Sequence, residues 1–121
     1  MNAIDVAAKF ENFTDTWHPH KIAAVDDSVV LLAKLQGDFL WHAHPDEDEL
    51  FFVVRGTLHM QFRDRTEVVR PGELIVVPRG VEHCPKTVDD EVVHVLLFEK
   101  STTDHTGDTV HERTVTEYPE I

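Results

Sequence analysis

The chain alternates short apolar runs with turn-forming residues along most of its length, and this punctuation restricts it to folds built from many short strands. From Lys21 onward the runs are KIAAV, SVVLLAKL, FLWHAH, ELFFVV, TLHMQF, TEVVR, ELIVV and EVVHVLLF. Between them stand Asp26-Asp27, Gly37-Asp38, Gly56, Pro71-Gly72, Arg79-Gly80 and Asp89-Asp90, residue types that tolerate or enforce a reversal of the backbone. No long helical stretch separates any two runs. The pattern therefore predicts an all-β, antiparallel sandwich or barrel rather than a parallel sheet with crossover helices. Several runs are apolar at every position, whereas a strand wetted on one face would alternate. A second layer, a helix or another subunit, is expected over part of the outer surface.

Ahead of the strands, Ile4, Val6, Ala7, Phe10 and Phe13 recur at roughly helical spacing, and Asp5 stands where a carboxylate suits the helix dipole. A short N-terminal α-helix is predicted. Phe10, Phe13 and Trp17 mark one packing face of it and of its exit, and Pro19 ends the pattern. The 121 residues suffice for one domain. It divides into a helix and lead-in over 1–20, a barrel over 21–100 and a polar, threonine-rich C-terminal arm over 101–121. There is no internal repeat and no linker.

With 23 acidic against 11 basic residues the formal charge is −12, and the acids are scattered. Such a surface repels phosphate backbones and anionic headgroups while favouring solubility and the approach of cations. No apolar run approaches the ~20 residues needed to cross a bilayer, and the first residues lack the basic leader and apolar core of a signal peptide. Cys84, the only cysteine, cannot form a disulfide within the chain. The expectation is a soluble, cytoplasmic protein with neither a nucleic-acid nor a membrane partner.

The residues that carry chemistry are His42, His44, Glu49 and His83. Alternate side chains of a strand share a face, so His42 and His44 aim together, with Trp41 and Ala43 opposite. If HPDEDE is a turn between paired strands, Glu49 folds back beside them. His83 follows Pro78-Arg79-Gly80, and closure of a barrel would bring it to the same point. Three imidazoles and a carboxylate suit iron, manganese, nickel, cobalt, copper or zinc and match calcium or magnesium poorly. A metal preferring five or six ligands keeps one or two positions for water, oxygen or a chelating substrate. A metal-free polar cluster is the other reading of these four residues; the presence of all four ligand types favours the ion.

These residues resemble the two motifs of the cupins. In the first, His42, His44, Glu49 and Gly56 keep the family's spacing; in the second, Gly72, Pro78, Gly80 and His83 do so. The resemblance covers about residues 37 to 87 and implies a small jelly-roll barrel, a double-stranded β-helix, around a metal held by three histidines and one glutamate. It also implies a range of small-molecule chemistries, including dioxygenation and sugar-phosphate isomerisation, and pairing of barrels. Two positions depart from the pattern: Gly37 precedes His42 by one residue fewer than usual, and Thr87 replaces an asparagine.

Other polar residues receive plainer readings. His18 and His20 share the HxH spacing but stand around a proline with no carboxylate in strand context, so they are assigned to the surface, as are His105 and His111 in the polar arm. Strand parity sets His59 and Gln61 outward against Leu58, Met60 and Phe62, and His94 is not assigned a catalytic role. Arg55 shares parity with Glu49, yet a charge before a turn glycine is more simply solvated. Cys84 should face away from the ligand His83 as a packed thiol, and Asp46, Glu47 and Asp48 read as a solvated turn. The expected function is a small-molecule metalloenzyme of unassigned reaction, with a metal- or metabolite-binding or sensing module as the alternative and an interaction scaffold ranked below both. Apolar strands and an aromatic N-terminus ask for more burial than one small barrel supplies, so a homodimer is expected.

Overall fold

A computed structural model describes residues 1–107 and 118–121. Helix α1 (Val6–Phe10) is followed by β1 (His20–Val25), β2 (Ser28–Leu35), β3 (Glu49–Arg55), β4 (Leu58–Phe62), β5 (Thr66–Val69), β6 (Leu74–Val77), β7 (His83–Lys86) and β8 (Val93–Lys100). Five strands form one sheet in the order β1-β2-β8-β3-β6, and three form a second in the order β5-β4-β7. All strand pairs are antiparallel. The two sheets face each other as a jelly-roll β-barrel, in agreement with the all-β reading.

Period-two burial explains why the sheets close on each other. Strand β8 turns Val93, Val95 and Leu97 inward, and β3 does the same with Phe51 and Val53. Met60 and Leu58 from β4 meet them from the opposite sheet. The turn from β3 to β4 requires Gly56: its φ is +81°, and a methyl group there would lie 3.0 Å from Val93 Cγ2.

Part of the second layer over the runs that are apolar on both faces comes from within the chain. Asp5 caps α1 by accepting a hydrogen bond from the Ala8 amide at 3.1 Å. The helix and its exit then lay Phe10 and Phe13 on Leu32, Leu96 and Val54, on the outer face of the larger sheet. A five-residue helix is too short to persist alone, so this packing holds it.

Two runs differ from the sequence reading. FLWHAH forms none of the named strands; it carries an isolated bridge at His42, with another at the preceding Asp38. Conversely, β7 contains Pro85 and lacks an apolar run, yet pairs along β4. Residues 101–107 do not trail into solvent, since Thr103, His105 and Thr106 are all buried. Gly107 crosses Ala43 so closely that a methyl group would collide with the Ala43 carbonyl oxygen. Most of the remaining arm, 108–117 with His111, lies outside the described residues.

Leu32 is fully buried between β2 and the aromatic side chains of the N-terminal segment. Leu32→Ala is expected to cost about 2–5 kcal/mol, read as a lower urea midpoint with an unchanged m-value.

Candidate metal centre

Two stretches far apart in sequence meet along one antiparallel seam. The His42 amide donates to the His83 carbonyl at 3.0 Å, and the His83 amide donates to the His42 carbonyl at 2.9 Å. The seam continues on one side through the Gly80 amide, which donates to His44 O at 2.8 Å, and on the other through the Phe39 amide, which donates to Pro85 O at 3.0 Å. Asp48 adds a side-chain link, accepting from the Arg79 amide at 2.9 Å, and this hydrogen bond holds its carboxyl below the ordinary range. The two departures from the cupin pattern bond to each other: Gly37 N donates to Thr87 Oγ1 at 2.7 Å, and Thr87 N donates to Gly37 O at 3.0 Å. The threonine hydroxyl thus closes the turn at one end of the seam.

The seam places four buried donors together. One ligand atom from each of His42, His44, Glu49 and His83 lies within 4.8 Å of the others. Glu49 Oε1 is 3.2 Å from His44 Nε2 and 3.7 Å from His83 Nε2, near the ~3 Å separation of adjacent ligands bound at about 2.1 Å. The Nδ1 atoms of His42 and His83 each lie 2.9 Å from a backbone carbonyl, of Leu40 and Val81 respectively. A carbonyl only accepts, so Nδ1 carries the proton and the Nε2 lone pair is left for the centre, the usual outer support of a histidine ligand. His83 Nε2 is buried with no hydrogen-bond partner among the described residues. These donors fit a transition-metal ion.

Protonation favours the same use. Burial, then the neighbouring His83, lowers the pKa of His42 to about 4, leaving its imidazole neutral. Burial alone would raise Glu49, but its interactions with His44 and His83 prevail and hold it at about 2, as a carboxylate.

A cavity of about 30 Å³, enough for one or two waters, adjoins His42 and Glu49. Trp17, Leu35, Phe39 and Leu97 are among its apolar walls, and Glu99 and His105 supply polar atoms. The sequence pattern gives Glu99 no role, and the polar arm predicts a solvated His105. Glu99 continues the inward series Val93, Val95, Leu97, so strand parity could have found it; its pKa lies well above the ordinary range because of burial and the charge of Glu49. His105 is buried, its Nε2 lies 3.1 Å from Trp17 O, and its ring lies 5.1 Å from that of Phe39. Nothing in the composition of the arm announces this.

The remaining candidates fall elsewhere. His59 and Gln61 point outward from β4, as parity predicts. His94 stacks on Phe10, with ring centroids 4.5 Å apart. Arg55 is exposed, because a bulge between Val53 and Arg55 breaks the parity it shared with Glu49. Cys84 is a buried thiol and Asp46 is solvated. His20 corrects the surface assignment: it is buried, and Asp15 supplies the missing carboxylate at 2.8 Å.

Residues 28–99 match the cupin domain family, and the chain belongs to it. It is 38% identical over 82 residues to the uncharacterized protein YdbB of Bacillus subtilis (strain 168), an alignment covering 67% of this chain and 66% of that protein, slightly under two thirds of its length. A cupin-2 domain containing protein from Shewanella frigidimarina superposes with a TM-score of 0.77 at 39% identity, covering 80% of this chain and 93% of the other. Protein NMB1881 from Neisseria meningitidis gives 0.74 at 30% identity, covering 83% and 100%.

The shifted histidine sets a pH dependence for the metal-free protein. His42 titrates near 4 when folded and near 6.5 when unfolded, so below 6.5 the unfolded chain binds more protons and stability falls as pH drops towards 4. Glu49, depressed from 4.5 to about 2, extends the loss to lower pH; Glu99, with a raised pKa, acts in the opposite sense. Thermal unfolding of chelator-treated protein should therefore show a falling midpoint from pH 6.5 to 4, with a shallower fall in His42→Asn. Equal slopes would contradict the assignment.

Proposed function

We propose that this cupin binds one divalent transition metal per chain through His42, His44, Glu49 and His83 and acts as a metalloenzyme on a small molecule. The observation that carries the reading is the meeting of four buried donors, three imidazoles and a carboxylate, beside a cavity. The donor set suits iron, manganese, nickel, cobalt, copper or zinc. When bound, such an ion supplies Lewis acidity and a docking point for a chelating substrate. The chain's residues supply the surroundings. Trp17, Leu35, Phe39 and Leu97 exclude bulk water, while Glu99 and His105 are placed to hold or move a proton. The cavity, about 30 Å³, holds only a few atoms.

The same small volume and mainly apolar lining favour a second reading, a metal- or metabolite-binding or sensing cupin without turnover. Elemental analysis of freshly purified protein tests the shared premise: about one ion per chain is expected, with a large loss in His42→Ala/His83→Ala. Wild-type protein that carries no transition metal, and gains no thermal stability when metals are added, would overturn it. Turnover of a chelating metabolite, rather than capture alone, then separates enzyme from binder.

A homodimer accompanies this proposal. On the outer face of the larger sheet, Phe98, Leu74 and Val76 remain exposed although α1 covers the neighbouring part. They cross aligned strands, with Phe98 opposite Leu50 and Leu50 opposite Val76, up to β6, the last strand of the sheet. A second copy would bury this apolar face. Light scattering should return the mass of two chains, and Val76→Lys should shift it towards one; a monomer mass for the wild type across a wide concentration range would refute pairing. The acidic surface argues against nucleic acid as a partner, and among the described residues no helix is long and apolar enough to cross a membrane. The lone buried thiol fits a reducing, cytoplasmic setting.

A further inference from the structure

A second group of ligand-bearing side chains lies in the lead-in to β1. Asp15 Oδ2 is 2.8 Å from His18 Nδ1, and Asp15 Oδ1 is 2.8 Å from His20 Nε2. Each residue offers one donor atom within 4.8 Å of the other two. The imidazoles lie side by side, with centroids 5.1 Å apart and ring planes 30° from parallel. His20 is 7% exposed and stacks on Phe13 at 4.0 Å, whereas the side chains of His18 and Asp15 are 34% and 44% exposed. One ligand is thus fixed in the fold, and the other two stand where an ion and its waters can reach them.

The local backbone builds this convergence. Trp17 has φ +57°, a left-handed conformation that is costly for a bulky residue and persists only where several contacts impose it. Its amide donates to Lys34 O at 2.9 Å, its indole Nε1 donates to Gln36 O at 2.8 Å, and its ring stacks on Phe39 at 4.7 Å. The reversal at Trp17 returns His18 and His20 to Asp15. The nitrogens that face the carboxylate, His18 Nδ1 and His20 Nε2, are the donor atoms the imidazoles offer an ion beside Asp15.

We propose that Asp15, His18 and His20 form a second cation site, for a borderline divalent ion such as zinc or nickel. Two imidazole nitrogens and a carboxylate suit these ions and not calcium or magnesium. The 2.8 Å contacts are close to the ~3 Å spacing of adjacent ligands at about 2.1 Å from a metal, and water completes the sphere on the exposed side. The acidic chain, at −12, favours cation capture. Trp17 and Pro19, which alternate with the ligands, both line the cavity beside His42 and Glu49. An ion here therefore clamps one wall of that cavity. The site differs from the four-ligand centre in composition, exposure and position on the chain.

The test is zinc binding to chelator-stripped full-length protein, followed calorimetrically and by elemental analysis after desalting. Wild type should take up a second, weaker equivalent beyond the first. Asp15→Asn/His18→Gln should lose that equivalent and keep the tight one, whereas His42→Ala/His83→Ala should lose the tight one and keep the weak one. Circular dichroism checks the fold of each variant, and His18→Gln alone, at a half-exposed position, serves if a double variant is unstable. A wild type saturating at one equivalent under about a hundredfold excess of zinc, with that equivalent abolished in His42→Ala/His83→Ala, would overturn the second site, as would a second equivalent that survives in folded His18→Gln with unchanged affinity. Failure of the four-ligand centre would instead appear as loss of the tight equivalent from wild type.

Discussion

The arrangement around the candidate centre depends on the paired backbone hydrogen bonds between His42 and His83. These residues are 41 positions apart, and neither belongs to a run that would pair on hydrophobic grounds alone. Once the two amides and two carbonyls have bonded, the side chains leave the same seam and must meet, because residues opposite each other in an antiparallel pair project to one face. His44 follows through its own bond with Gly80, and Glu49 enters as the first residue of β3. The candidate ligands therefore stand on paired backbone rather than on independent loops. That rigidity is what a site of fixed geometry requires.

Burial and chemistry reinforce each other here. The seam buries four polar side chains, which would be costly without partners. Two imidazoles direct Nδ1 at nearby carbonyls, and the carboxylate draws on its histidine neighbours. The same burial that makes His42 hard to protonate leaves its lone pair available as a ligand. Glu99 extends the polar centre into the cavity, and its close approach to Glu49 favours the protonated form of one of the two acids.

Much of this could be read in the sequence, for identifiable reasons. Strands with unbroken apolar runs, such as Ser28–Leu35 and Val93–Lys100, declared themselves because burial is written in their side chains. The four candidate ligands stood out because histidine pairs at strand spacing and a carboxylate after a turn are unusual in a core. What escaped was whatever depends on contact rather than on pattern. Strand β7 carries a proline and one buried cysteine between polar residues, and only its pairing with β4 makes it a strand. Arg55 appeared to share the inward parity of Glu49 until a bulge shifted the register. His20 and His105 sit in polar, turn-rich stretches whose composition describes solvent, yet Phe13 covers one and the Trp17–Phe39 stack borders the other.

The amino-acid order by itself determined the all-β class, the short amphipathic helix and the identity of the four candidate ligands, because period and residue type are local properties. Tertiary structure alone decided that Thr87 bonds Gly37, that residues 101–107 close over Ala43, and that Asp15 meets His18 and His20. Each of these rests on a turn conformation or a non-local pairing, and neither is encoded in the periodicity of any single segment.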